Sequence, residues 1–213
     1  MQPRASIVRG LLSATIAVAL VSAGAASATV KKKKPAPKPA PPVCYLVKTT
    51  AGGVTDPSLD ITSADVATDA TRITVVFRVA KLTTGTDTTS PFGRQWTLSF
   101  TIDGHLVSFN IYDGPFGTMT SYPGQAPVFD TTKNEIRFTT TLSQLANTSA
   151  TPEIRNKSSV LTAFKVSSEE TVEGPDVPGA LHGGTLFGLQ QADAAQSARS
   201  YIAGQPSCVK VGS

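Results

Sequence analysis

The stretch Arg94–Tyr112, RQWTLSFTIDGHLVSFNIY, constrains the fold more tightly than any other part of the chain. Two alternating apolar and polar runs flank Asp103-Gly104, a dipeptide suited to a two-residue hairpin turn because it tolerates positive φ. Closing the chain there pairs Ile102 with His105, Phe100 with Val107, Leu98 with Phe109 and Trp96 with Ile111. The other face pairs Thr101 with Leu106, Ser99 with Ser108, Thr97 with Asn110 and Gln95 with Tyr112. A slip of one residue would turn every side chain over. The match of apolar to apolar therefore predicts the register, and a sheet covered on one side.

The first residues read as a targeting segment. A short basic start (Arg4, Arg9) leads into the apolar run LLSATIAVAL and ends in Ala26-Ser27-Ala28, a small-x-small cleavage pattern. That is a secretory signal peptide over residues 1–28, because a membrane-spanning helix needs ~20 predominantly apolar residues. No later segment is apolar enough to span a bilayer. Residues 29–42, TVKKKKPAPKPAPP, combine Lys31, Lys32, Lys33, Lys34 and Lys38 with alternating prolines. Such a segment cannot form a core and reads as an extended, disordered linker. Its lysines suit either contact with an anionic envelope polymer or lipid, or simple solvation of a stalk.

The linker also decides how the charge is read. The chain carries a formal net charge of +4, but removing Arg4, Arg9 and the five linker lysines from its 19 basic residues leaves 12 against 15 acidic ones from Val43 onward. With no basic stripe left, nucleic-acid binding loses its warrant. The segment 43–213 is long enough for one domain with its own core. Its two cysteines, Cys44 and Cys208, lie near its two ends, and in an exported chain such a pair reads as a disulfide that brings the termini together.

Along the domain the pattern is almost all strand. Short strands are expected at Cys44–Thr49, Leu59–Val66, Arg72–Ala80, the central hairpin, Glu135–Leu142, Val160–Val166 and Cys208–Val211. In Arg72–Ala80, Ile73, Val75, Phe77 and Val79 face inward. Loops fall at Thr83–Arg94, Asp113–Gln125 and Glu173–Gly184. Only Gln190–Arg199, QQADAAQSAR, has helix-friendly composition, and it lacks an apolar stripe. Eight or nine short strands with threonine-rich wet faces predict an all-β protein, a single antiparallel β-sandwich.

Four segments carry a resemblance: DPSLDITSADV (Asp56–Val66), GRQWTLSF, NEIRFTTTLSQL, and the terminal DAA followed by YIAGQPSC. Together they resemble the secreted bacterial β-sandwich modules of actinobacterial type, which occur alone or appended to secreted subtilisin-like proteases and glycosidases. The layout is similar to DOMON-type and family-nine carbohydrate-binding modules. The likeness covers most of Cys44–Cys208 but rests on strand-and-turn patterns. It implies a sandwich whose exposed aromatic residues hold sugar and in which calcium can brace the fold, and it assigns no binding residue one by one.

The residues themselves offer little catalytic chemistry. A nucleophilic triad needs a histidine beside a Ser or Cys and oriented by an acid. His105 borders the hairpin turn, and His182 sits in a Gly-rich loop without a nucleophile-elbow motif, so no enzyme is expected. Asp56, Asp60 and Asp65 are the candidate calcium ligands, since a hard cation wants several carboxylate and carbonyl oxygens. Turn chemistry at Asp-Pro explains the first of them equally well. Trp96 shares parity with Leu98 and Phe100 and belongs to the core. Tyr112 has the opposite parity and joins Gln95 and Asn110 on the wet face, beside a loop carrying Phe116 and Tyr122. Aromatic rings next to amides and hydroxyls suit sugar binding. The alternative is that Phe116 and Tyr122 fold back to close one end of the sandwich. Two functions follow: a secreted, non-catalytic module for a glycan or another extracellular polar ligand, or a structural or protein-interaction domain tethered at the cell envelope by its cationic linker.

Overall fold

The computed structural model describes residues 38–84, 93–124, 126–146, 154, 158–173 and 187–212. The signal peptide, Lys31, Lys32, Lys33, Lys34 and His182 lie outside the described residues; Lys38 is exposed. The folded unit begins at Pro39.

The domain is an antiparallel sandwich of two sheets. In chain order the strands are β1 (Val47–Lys48), β2 (Ile61–Thr68), β3 (Arg72–Val79), β4 (Arg94–Ile102), β5 (His105–Gly114), β6 (Gly117–Thr120), β7 (Val128–Asp130) and β8 (Glu135–Thr141). A short helix, α1 (Leu142–Ala146), precedes β9 (Val160–Glu173), β10 (Phe187–Ser197) and β11 (Tyr201–Ile202). One sheet runs β1-β2-β3-β8-β7, and the other runs β10-β9-β4-β5-β6, with β11 pairing the start of β9.

The central hairpin forms in the register read from the sequence, every pair from Ile102–His105 to Gln95–Tyr112 included. Asp103 and Gly104 take the positive φ that their turn requires. Trp96, Leu98, Phe100 and Ile102 are fully buried and interleave with residues of the facing sheet. Trp96 meets Phe129 at 6.0 Å and Phe109 meets Phe138 at 6.4 Å between ring centroids, so aromatic contacts bridge the two sheets. The Trp96 indole N–H donates to the Ser58 carbonyl at 2.9 Å, which satisfies the one polar atom that its burial would otherwise strand.

Several expected elements differ. The two C-terminal strands of the second sheet are longer than alternation showed, because bulges break their period. At Ala163, with φ 52°, both Thr162 and Ala163 point outward, so Leu161 and Phe164 stay inward although they are three residues apart. The helix-friendly run Gln190–Arg199 is instead mostly strand, paired with β9 from Phe187 to Ser197. Without an apolar stripe it has nothing to gain as a helix, whereas pairing with β9 satisfies its backbone. A second bulge turns Asp193 inward, where its carboxylate accepts from the Ile61 N–H at 2.9 Å and ties this edge strand to the facing sheet. The expected strand at Cys208–Val211 is not one: Ser207 makes a single bridge to Val43, and the segment lies over the sheet surface instead. The loop after the hairpin contains β6, and β7 follows it; both are short edge strands whose polar composition hid them.

The terminal segments give the first sheet an unexpected second covering. Ser63, Asp65, Ala67, Thr74 and Val76 point away from the main core, yet all are buried. Val209 and Val211 pack on Ala67 and Val76. The Leu46 N–H donates to Asp65 at 3.0 Å, the Ser207 hydroxyl to the Val66 carbonyl at 3.1 Å, and the Gly212 N–H to the Thr74 hydroxyl at 3.1 Å. Cys44 and Cys208 are bonded, which fastens the two covering segments to each other.

Free-thiol titration of the unfolded, unreduced protein should find no thiol. Cys208→Ser should lower stability by about 3–5 kcal/mol, as loop-closure entropy suggests for so long a loop, with the strand signal in circular dichroism retained. Trp96→Ala should cost about 3–5 kcal/mol, and the native indole should resist acrylamide quenching. A freely quenched indole would contradict the hairpin register.

Candidate functional site

With the first sheet covered on both sides, the outer face of the second is the sheet face left open among the described residues. Its side chains follow from parity in β5, β4, β9 and β10. Cross-strand pairing sets Tyr112, Gln95, Glu169 and Gln191 in one row across the four strands. The next row is Asn110, Thr97, Ser167 and Ala194, and the one after is Ser108, Ser99, Lys165 and Gln196. Hydroxyl and amide groups predominate on this surface.

The conformation of Tyr112 is specific. Continuing the hairpin register beyond Arg94–Asp113 brings Gly93 opposite Gly114, on the same face as Tyr112. A Cβ at Gly93 would lie 2.5 Å from the Tyr112 hydroxyl oxygen, and one at Gly114 would lie 2.4 Å from it. The phenol ring therefore lies along the strand, over a floor that two glycines leave bare. Gly93 also has φ +120°, a backbone conformation that side chains disfavour. A ring laid flat on a sheet keeps its outer π-face toward solvent, the geometry needed to stack a flat ligand.

The rim around this ring has mixed chemistry. Tyr112, Gln95, Asn110, Met119, Thr171 and Leu189 line one shallow groove of about 370 Å³. Met119 and Leu189 are more than half exposed and form its apolar walls. The Thr171 N–H donates to the Gly93 carbonyl at 2.9 Å, which fixes this residue beside the glycine floor. Thr171 is 9% exposed, and among the described residues its hydroxyl oxygen is the buried side-chain polar atom without a hydrogen-bond partner. Such an atom is costly to leave unmatched, so it is a point where a ligand hydroxyl would be gained at low cost.

The structure thus brings Gln95, Asn110 and Tyr112 together and separates them from the other two aromatic candidates. Tyr122 is a correction. It lies in the main core, 5.1 Å from Phe109 between ring centroids, and burial pushes its phenol pKa up. The chain folds back after β6 so that this ring closes the end of the sandwich, and it presents no ligand surface. Phe116 stands at the β5–β6 turn, 90% exposed and outside the groove.

The three calcium candidates are likewise corrected, because each carboxylate already serves the fold. Asp56 accepts from the Ser58 N–H at 2.8 Å and faces Arg94 at 3.6 Å. Asp60 accepts from the Gly52 N–H at 2.8 Å. Asp65 is fully buried and pairs with Arg78 at 2.6 Å. Burial works against the Arg78 cation, but the hydrogen bonds and charges of Asp65 and Glu135 outweigh it and hold its pKa above the usual value. Among the described residues no three acidic, His or Cys side chains are placed to hold a metal. Sequence reading also missed Arg94. Its parity with Trp96 puts it on the dry face, where it is 2% exposed, donates to the Thr83 hydroxyl at 3.0 Å and lies near Asp56 and Asp113. That parity was the available signal.

Asp65→Ala would leave Arg78 partly buried without its closest partner and should destabilise the domain by about 3–5 kcal/mol. A chelator should leave the melting temperature of the wild-type domain where it was; a fall of several degrees would restore the aspartates as calcium ligands.

No protein-family model matches the chain, and no curated protein matches it in sequence.

Proposed function

We propose that this is an exported, non-catalytic binding module that holds a glycan on the open face of its second sheet, with Tyr112 as the stacking platform. The observation that carries the reading is the Tyr112 ring laid on the Gly93–Gly114 floor beside the unmatched Thr171 hydroxyl. Sugar rings offer apolar faces for stacking and equatorial hydroxyls for directed hydrogen bonds, and this groove supplies partners for both. The earlier resemblance to secreted carbohydrate-binding sandwiches points the same way. Export is supported by the signal-peptide pattern and by the Cys44–Cys208 bond, which suits an oxidising compartment. Among the described residues no helix is long and apolar enough to cross a membrane.

A second reading, a protein-interaction domain at the envelope, draws on the exposed Phe116, Leu106 and Met119 around β5 and β6. Pull-down on insoluble glycans and on envelope fragments, at low and high salt, separates the two. Tyr112→Ala should weaken glycan retention by about 10- to 30-fold, the loss of roughly 1.5–2 kcal/mol of stacked ring contact, while Tyr122→Phe keeps it. Retention should change little as ionic strength rises past ~0.15 M, whereas binding through the lysine linker would fade with salt and vanish on deletion of residues 29–42. Full retention by Tyr112→Ala would remove the glycan reading.

A further inference from the structure

The groove at Tyr112 is not isolated. A second groove of about 450 Å³ lies on the same face, over β4, β9 and β10, lined by Thr97, Ser99, Lys165, Ser167 and Gln196 among others. The two meet at β4, where the Gln95 amide donates to the Thr97 hydroxyl at 3.5 Å. Gln95 belongs to the first groove and Thr97 to the second, so one hydrogen bond spans their boundary.

The distance covered is larger than one small ligand needs. From Tyr112 to Lys165 the path crosses two strand spacings and four residues along β9, a diagonal of about 16 Å. Side chains on this path carry hydroxyls and amides, and its two charges are of opposite sign: Glu169, which accepts from the Gln95 amide at 3.1 Å, and Lys165 two rows away. A polyanion would meet Glu169, and a polycation would meet Lys165. An uncharged chain meets hydrogen-bonding groups throughout.

We infer that the open face is one continuous array of subsites for the interior of a linear, uncharged polysaccharide. Tyr112 stacks one ring, and Thr97, Ser167 and Gln196 hydrogen-bond to rings further along. This rests on the glycan reading above and adds to it the length, the charge and the direction of the ligand, which runs diagonally from β5 toward β10.

The test is a length series. Titration calorimetry of the full chain would use cello-, xylo-, manno- and chito-oligosaccharides from disaccharide to hexasaccharide. For the preferred backbone, the hexasaccharide should bind at least about tenfold tighter than the disaccharide, since rings beyond the first add contacts without a second association cost. Thr97→Ala combined with Gln196→Ala should abolish that gain, so that the hexasaccharide binds no tighter than the disaccharide. Both positions are at the surface, and circular dichroism would verify that the strands are kept. Equal affinity across the series, with Tyr112 still required, would overturn the continuous array and leave the glycan reading standing. If no oligosaccharide in the series and no insoluble glycan binds, the glycan reading itself fails and the array with it. A monomer–dimer equilibrium dissociated by Thr97→Arg would instead assign the face to a second copy of the chain and overturn the array.

Discussion

The structure depends on an asymmetry between its two sheets: one is buried on both sides and the other on one. The first sheet owes its second cover to the terminal segments around Cys44 and Cys208, which lie across β2, β3 and β8. A disulfide between the ends of a domain restricts the unfolded chain most when the loop it closes is long. Here the bond also holds two irregular segments against a surface on which neither forms an extended strand. Without that cover, Ala67, Val76 and the Asp65 carboxylate would face water.

Burying a sheet on both sides brings polar groups into the interior, and the domain answers with pairs. Asp65 sits between the Leu46 N–H and Arg78, and Arg78 reaches on to Glu135. The Thr74 and Thr139 hydroxyls bond to each other at 2.8 Å. At the other end Arg94 lies among Thr83, Asp56 and Asp113, against the Trp96 ring. Such networks contribute less to net stability than to uniqueness, because any other packing would strand a charge. They also explain why acidic residues that resemble a cation site in sequence are committed to the fold.

The same asymmetry locates recognition. A face covered by its own termini has no room for a ligand, so the hydroxyl- and amide-rich face of β5, β4, β9 and β10 is the one with surface to offer. Its central feature is a consequence of absent side chains. Two facing glycines let Tyr112 lie down, and the ring that would otherwise stand out from the sheet becomes part of its surface.

Much of this was legible in the residues. Alternation about Asp103-Gly104 determined the hairpin register, because a period of two admits one choice of buried face. The positions of two cysteines in a chain with an export pattern determined that the termini meet. Which wet face was truly wet was not legible: Ser63, Asp65 and Thr74 look as polar as Thr97 and Ser99, and only the path of the terminal segments separates them. Composition likewise misdescribed Gln190–Arg199, since a small, polar edge strand takes its conformation from its neighbour rather than from its own propensity. Tyr112 and Tyr122 differ for the same reason. Both follow polar residues near one turn, but the chain reverses between them, and a reversal in space leaves no period in the sequence. Local pattern determines which side chains share a face; only the tertiary structure decides what that face meets.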